Sequence, residues 1–183
     1  MDPLIGAFAA YLTMELRLSR ATVSVYTLEA RLLAEYWAPR QLVGFSGAEL
    51  IQYLVHRQLE GASRKTTAKS LSALRAFFAF LLREGLAAVN PAEDVETPRI
   101  PRHIPEVFSR EEVERHLAAI DLDTPGGVRD HFLFELIYSC GLRVSEAASM
   151  TLERIYKSEK FLRVLGKGGK ERIVPIGELA LEW

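Results

Sequence analysis

The spacing of hydrophobic positions predicts four helices in the first 85 residues. Apolar side chains recur every three or four positions in each of four stretches, which is the period of an amphipathic helix. The fourth stretch runs from Gly61 to Arg83 and is followed by Gly85, a typical helix terminator. Helix-starting signals open the first three stretches: Asp2-Pro3, Ser19 and Ser46-Gly47-Ala48-Glu49. The N-terminal part is therefore predicted to be a small helical bundle.

The pattern beyond residue 105 predicts helices first and strands later. A capping box at Ser109-Arg110-Glu111-Glu112 opens one helix, and a second runs from Val128 to Ser139 towards Gly141. Phe161–Leu165 and Arg172–Ile176 have the composition of two strands joined by a glycine-rich turn. We therefore expect a mixed α/β domain that contains a β-hairpin, with its first strand at Phe161.

Residues 90–105 have the composition of a linker. They hold four of the eight prolines together with Arg99, Arg102 and His103. Successive prolines favour an extended backbone, so this segment is expected to be a stiff, basic strap. The predicted division is a helical domain over 1–89, the strap over 90–105 and a second domain over 106–183.

Composition excludes several classes of protein. The chain is 49% hydrophobic, which is typical of a globular fold, and its single cysteine excludes a disulfide framework. No secretory leader opens it and no apolar run is long enough to span a bilayer, so a cytoplasmic location is expected. The formal net charge is -1, and the excess of basic residues up to Pro105 is small. The net charge therefore does not indicate whether the chain binds nucleic acid, and the local distribution of charge has to be considered.

The fourth predicted helix has an unusual distribution of charge. Between Gly61 and Arg83 it carries five basic residues and no acidic one. Projection on a helical wheel separates an aromatic face from a cationic face, which holds Arg64, Lys65, Lys69, Ser72 and Arg75. An ordinary solvated surface usually mixes both signs, so this face predicts contact with DNA or RNA. Reversal of the charge at Lys69 or Arg75 is expected to weaken binding to all sequences without destabilising the fold.

Two motifs contain the candidate chemistry. In Gly141-Leu142-Arg143-Val144-Ser145-Glu146, an arginine lies at the start of a short helix, where its planar guanidinium could bind phosphate oxygens. In Gly166-Lys167-Gly168-Gly169-Lys170-Glu171-Arg172, Lys167 lies at a hairpin tip. Each motif also has a structural interpretation, namely an Arg143–Glu146 surface bridge and a solvated turn. A Walker A loop is excluded, because Phe161 and Gly168 replace its first glycine and its Ser/Thr.

These two motifs resemble those of the tyrosine recombinases, the phage integrase superfamily, and most of all the bacterial Xer type. The resemblance implies a core-binding, SAM-like helical domain followed by a catalytic domain, which close around duplex DNA as a clamp. It implies DNA cleavage and rejoining through a 3′-phosphotyrosine, by a tetramer on two duplexes, without metal or cofactor. By motif position, Arg143 would stabilise the transition state and Lys167 would protonate the leaving 5′-oxygen. The residues expected to contact DNA are Arg64, Lys65, Lys69, Ser72, Arg75, Arg99, Arg102, Lys170 and Arg172.

The chain departs from the family pattern after Lys167. None of its four histidines is followed by arginine three positions later, and all six tyrosines precede Lys167. The 183 residues are therefore expected to hold an incomplete catalytic domain that binds DNA but is inactive alone. A naturally short, non-catalytic DNA-binding relative and an RNA-binding helical module remain open as alternatives. The sequence does not distinguish chromosome dimer resolution from integration of mobile elements.

Overall fold

Four helices form the N-terminal unit, as the hydrophobic pattern predicts. The structure is a computed structural model that describes residues 3–38, 42, 44–101 and 104–181, except the side chains of residues 167 and 179. The chain divides into two units between residues 103 and 104, and each unit is considered by itself. The helices of the first unit are α1 (Pro3–Ala10), α2 (Arg20–Trp37), α3 (Gly47–Leu59) and α4 (Arg64–Arg83), and a π-helical turn (Tyr11–Glu15) continues α1.

Serine caps fix the starts of three of these helices. The hydroxyl oxygens of Ser19, Ser46 and Ser63 each accept a hydrogen bond from the backbone N–H three residues later. At Ser46 the box predicted from the sequence is complete, because the Glu49 carboxylate also accepts the Ser46 backbone N–H at 2.9 Å. Asp2, which the sequence proposes as the first cap, lies outside the described residues.

The apolar face of α4 lies at the centre of the N-terminal core. Four of its side chains are at most 1% exposed, namely Leu74, Phe77, Phe78 and Leu81. The rings of Phe77 and Phe8 meet edge to face, with centroids 5.1 Å apart. Burial of such side chains stabilises the fold by about 1.5–3 kcal/mol each. The orientation of α4 predicted from its helical wheel is thus confirmed, with the aromatic face inside.

The first part of the predicted strap packs on this same unit. Ala92 is fully buried and Val95 is nearly so, and both belong to the N-terminal core cluster. The segment from residue 96 to 101 follows without helix or strand. The boundary at residues 89 and 90 stays a prediction, but the chain from 90 to 97 contributes to the helical fold.

The second unit combines short helices with a three-stranded sheet. Its helices are α5 (Arg110–Ala118), α6 (Pro125–Cys140), α7 (Val144–Ala148) and α8 (Glu178–Leu181). Its strands are β1 (Ile155–Tyr156), β2 (Phe161–Leu165) and β3 (Glu171–Pro175), antiparallel in the order β1-β2-β3. The β2–β3 hairpin predicted from the sequence is confirmed. The expectation that the first strand begins at Phe161 is wrong, because β1 pairs with β2 through Ile155 and Tyr156.

The core of this unit places the loop after α6. Gly141 ends α6 in the left-handed region (φ 60°, ψ 35°), a conformation that glycine adopts at little cost. The turn directs Leu142 into a core with Leu136, Leu162 and Val164. Arg143, the next residue, therefore starts α7 at the edge of that core. No helix within the described ranges is long and apolar enough to cross a bilayer.

Candidate functional site

Arg143 presents most of its side chain to solvent from the start of α7. Its backbone is extended (φ -72°, ψ 149°), and its side chain is 71% exposed. One guanidinium nitrogen, Nη1, donates to Glu146 Oε1 at 2.9 Å. Because α7 has only five residues, its dipole is small and the charge of Arg143 itself is the main attraction for an anion.

Glu146 is the buried centre of this site. Its side chain is only 5% exposed, and its carboxylate accepts four hydrogen bonds. Arg143 supplies two of them, from its backbone N–H to Oε2 and from Nη1 to Oε1, both at 2.9 Å. Arg172 supplies the other two, from Nη1 to Oε1 at 2.7 Å and from Nη2 to Oε2 at 2.9 Å. The bonds from Arg172, followed by the backbone bond from Arg143, hold the pKa of Glu146 well below its usual value.

Arg172 occupies a different environment from the one that the sequence predicts. It was expected to contact phosphate, but both of its terminal nitrogens bind Glu146 and its side chain is 38% exposed. The hydrogen bond to Glu146 raises the pKa of Arg172, so this guanidinium is charged at every accessible pH. A contact between Arg172 and DNA stays a prediction, and it would have to form beside or at the expense of this ion pair.

The hairpin turn starts beside the same carboxylate. The Gly166 N–H donates to the Lys170 carbonyl oxygen at 2.7 Å, which closes the loop over the short 3-10 turn Lys167–Gly169. A Cβ built on Gly166 would lie 3.7 Å from Glu146 Oε1 and 3.5 Å from Arg172 Nη1. Lys170 is exposed, whereas the side chain of Lys167, the predicted general acid, lies outside the described part of the chain. The carboxylate that binds Arg143 therefore also lies against the residue that precedes Lys167.

The cationic face of α4 is exposed in the N-terminal unit. Arg64, Lys65, Lys69 and Ser72 are all exposed. Within the described residues no carboxylate pairs with Arg64, Lys65 or Lys69, which distinguishes them from Arg83, the cation that pairs with Glu15 at the end of α4. The Ser72 hydroxyl donates to the Ala68 carbonyl oxygen at 3.0 Å. Three positive charges thus lie on the exposed face of α4, and no described carboxylate pairs with them.

Arg75 contacts the strap instead of extending into solvent. Its Nε donates to the Ala92 carbonyl oxygen at 3.0 Å, its Nη1 to Thr97 Oγ1 at 3.1 Å and its Nη2 to the Val95 carbonyl oxygen. These bonds give Arg75 a part in the fold that the helical wheel does not predict. Arg99 is exposed on the extended segment, and Arg102 lies outside the described residues.

Comparison with known protein families agrees with both units. Residues 5–85 match the model described as "Phage integrase, N-terminal SAM-like domain". Residues 106–183 match the model described as "Phage integrase family". The chain belongs to the phage integrase family. Its fold class is therefore confirmed as a helical SAM-like domain followed by the mixed α/β part of a tyrosine recombinase.

Several curated relatives of this chain carry the name tyrosine recombinase XerD. That of Pseudomonas aeruginosa is 37% identical over 183 residues, covering 99% of this chain and 61% of the relative. That of Pseudomonas putida is 40% identical over 184 residues, again covering 99% and 61%. The chain thus spans about six tenths of the length of these curated relatives.

Solved structures of the family share the fold. A lambda integrase dimer bound to a COC' core site superposes with a TM-score of 0.75 at 16% identity, over 96% of this chain and 48% of that one. A lambda integrase tetramer bound to a Holliday junction gives 0.75 at 17%, over 99% and 52%. At these identities the likeness concerns the architecture alone.

Sequence reasoning located the two motifs of this chain but missed the link between them. It offered a surface bridge between Arg143 and Glu146 as one interpretation, whereas in the structure Glu146 is buried and accepts four hydrogen bonds. It did not connect Glu146 with Arg172, which lies 26 positions later. The one signal of this link in the sequence is the acidic residue in the first turn of α7. Local spacing does not reveal the second partner of that residue. Among the described residues no group of three or more His, Cys, Asp or Glu side chains could hold a metal.

Proposed function

We propose that this chain supplies the DNA-binding surface and part of the active site of a XerD-like site-specific recombinase. The observation that supports this most is the exposed Arg143 guanidinium, held by a buried carboxylate at the start of α7. The relatives named XerD, which align with essentially the whole chain, support the same function.

In this proposal Arg143 binds the phosphate that is cut. Cleavage of a phosphodiester builds negative charge on the non-bridging oxygens, and a planar guanidinium can meet two of these oxygens at once. Its orientation is fixed before DNA binds, because Glu146 holds both its backbone N–H and its Nη1. A preorganised donor of this kind stabilises a transition state by about 3–4 kcal/mol.

Lys167 is proposed as the general acid. When the phosphorus–oxygen bond breaks, the leaving 5′-oxygen needs a proton, and an ammonium group can donate one. The turn that carries Lys167 is closed by the Gly166–Lys170 hydrogen bond and starts beside Glu146. The tyrosine that would form the 3′-phosphotyrosine does not follow Lys167 within these 183 residues, so they should form no covalent adduct alone.

The proposed DNA grip combines both units with the strap. It consists of Arg64, Lys65, Lys69 and Ser72 on α4, Arg99 and Arg102 on the strap, and Lys170 beside the hairpin. Neutralisation of phosphates releases condensed counterions, so affinity should fall steeply with salt concentration. The full protein would act as a tetramer on two duplexes in the cytoplasm, at the nucleoid, without metal or cofactor. Lambda integrase bound to DNA as a dimer and as a tetramer offers a precedent for such assembly.

Fluorescence anisotropy with a labelled duplex tests this function. The chain should bind duplex DNA at low salt, and Lys69→Glu should weaken binding to all sequences alike. Lys157→Glu is the matched control, because it makes the same charge change at an exposed lysine that is not proposed to contact DNA. An equal effect of both variants, or no binding by the unaltered chain at low salt, would refute the proposed grip.

A nicked suicide duplex tests the expected inactivity. Incubation with this substrate followed by denaturing electrophoresis should show no shifted protein band. A denaturation-resistant adduct would mean that one of the six tyrosines acts as a nucleophile. Preference for A-form over B-form duplex in competition would favour an RNA-binding module instead.

A further inference from the structure

The carboxylate of Glu146 has no remaining capacity to accept hydrogen bonds in the plane of its oxygens. An ionised carboxylate offers about four lone-pair positions. Arg172 takes two of them with a two-pronged contact, and Arg143 takes the other two through its backbone N–H and Nη1. The two guanidinium groups therefore share one buried anion.

This sharing determines how much positive charge reaches solvent. The side chain of Arg172 is 38% exposed and directs both terminal nitrogens at Glu146, whereas that of Arg143 is 71% exposed and uses one. The bidentate Arg172–Glu146 pair is neutral as a unit, so the three groups together keep one positive charge, on the Arg143 side. Without Arg172, Arg143 would be the one cationic partner of Glu146 among the described side chains, and the carboxylate would neutralise it.

The same contact anchors the base of the hairpin. Arg172 lies on β3, opposite Val164 on β2. Val164 is two residues before Gly166 in the chain. Its Nη1 lies 3.5 Å from the Cβ position of Gly166, the residue that immediately precedes Lys167. Loss of the Arg172–Glu146 pair would therefore release the strand end from which the hairpin turn extends.

We infer that Arg172 is a positioning residue, which binds Glu146 so that Arg143 keeps its charge for phosphate and the Lys167 hairpin stays beside it. This inference rests on the proposed DNA-binding function and deepens it. It differs from the expectation that Arg172 contacts phosphate directly, which stays a prediction. The two roles predict different dependence on Glu146, because a direct contact does not need that carboxylate.

A double-mutant cycle separates the two roles. Duplex affinity and its salt dependence are measured by anisotropy for the unaltered chain, Arg172→Met, Glu146→Gln and the double variant. Arg172→Met should weaken binding about tenfold when Glu146 is present, and less than about twofold when residue 146 is already glutamine, which carries no charge to neutralise Arg143. Equal losses in both backgrounds would overturn the inference in favour of a direct phosphate contact.

Lys170→Met provides the matched control. Lys170 is exposed two positions before Arg172 and is proposed to contact phosphate directly. Its loss should weaken binding by the same factor with Glu146 or with glutamine at position 146, and lower the salt slope by about 0.9 in both. Circular dichroism confirms that each variant is folded before its affinity is compared.

Arg172→Lys gives a second test that does not depend on a drastic change. Lysine keeps the charge but cannot make the two-pronged contact with a carboxylate. If Arg172 acts through its two-pronged contact with Glu146, Arg172→Lys should lose part of what Arg172→Met loses, because an ammonium can still neutralise the carboxylate but cannot fix its orientation. Affinity close to that of the unaltered chain would instead indicate a simple electrostatic contact with DNA and refute the positioning role.

Hydrogen exchange supplies a readout that does not require DNA. The Gly166 N–H, bonded to the Lys170 carbonyl oxygen at 2.7 Å, should exchange several times faster in Arg172→Met and at an unchanged rate in Lys170→Met. If the unaltered chain fails to bind DNA, the proposed function is wrong, while this measurement still decides whether Arg172 holds the hairpin. Unchanged exchange in Arg172→Met would overturn the anchoring.

Discussion

The three hydrogen bonds of Arg75 to the strap lead to a sharp prediction about stability. Arg75→Met keeps an unbranched apolar stem of similar reach and removes every donor of the guanidinium. The carbonyl oxygens of Ala92 and Val95 then lose their charged partner. Both residues are buried, so water would not easily replace the lost bonds.

The expected loss is large for a half-buried side chain. A hydrogen bond from a charged donor contributes about 1.5–3 kcal/mol, and the two bonds to buried carbonyls are the ones that count. The third bond, to Thr97 Oγ1, is exposed and adds little. Taking the lower value for each of the two, we expect Arg75→Met to lower the free energy of unfolding of the N-terminal unit by about 3 kcal/mol.

Urea denaturation followed by far-ultraviolet circular dichroism measures this change. Lys69→Met is the matched control, because it removes an exposed cation from the same helix and should change the free energy of unfolding by less than about 0.5 kcal/mol. DNA affinity should show the opposite ranking to stability: at temperatures where both variants are folded, Lys69→Met should bind DNA more weakly than Arg75→Met. If Arg75→Met unfolds like the unaltered chain but binds DNA as poorly as Lys69→Met, the structural role of Arg75 is wrong and its role is phosphate contact.

Three further predictions concern the caps and the buried carboxylate. The pKa of Glu146 is lower in the folded chain than its ordinary value of 4.5, so the ionised carboxylate stabilises the fold fully above about pH 5 and less as the pH falls further. Glu146→Gln should therefore flatten the decline in melting temperature between about pH 5 and about pH 3. An unchanged decline would contradict this. Gly141→Ala should cost about 1 kcal/mol in urea denaturation, because a Cβ meets no atom there but the φ of +60° is strained for alanine. Ser46→Ala should cost about 1 kcal/mol by the same assay through loss of the capping box, and a cost below 0.3 kcal/mol would mean that water replaces the cap.

Features governed by local sequence were predictable. The ends of α2, α3 and α6 follow from the hydroxyls of Ser19 and Ser46 and from Gly141, because caps act within one helical turn. The inward face of α4 follows from the helical period of its aromatic residues. The hairpin follows from two strand-like stretches on either side of a glycine-rich turn. Strand β1 was missed because two residues are too few to show an alternating pattern.

Contacts between distant residues could not be predicted in the same way. Arg75 meets carbonyl oxygens that lie 17 and 20 positions later, and Arg172 meets a carboxylate 26 positions earlier. Nothing in the local sequence distinguishes these two arginines from their neighbours Lys69 and Lys170. A helical wheel or a motif assigns a direction to a side chain, whereas its partner depends on how the chain folds back.

This distinction changes how the basic residues of the chain should be interpreted. A count of lysines and arginines treats each as a charge available to DNA, but a guanidinium that is bound to a buried carboxylate or to carbonyl oxygens has to break those bonds before it can bind phosphate. Arg75 and Arg172 carry this cost, while Lys65, Lys69 and Lys170 are exposed. Because counterion release counts only the cations that reach phosphate, we expect the proposed grip on DNA to depend mainly on the exposed lysines. We expect the two internally bound arginines to act one step earlier, because their hydrogen bonds hold the strap and the hairpin in place before any contact with DNA.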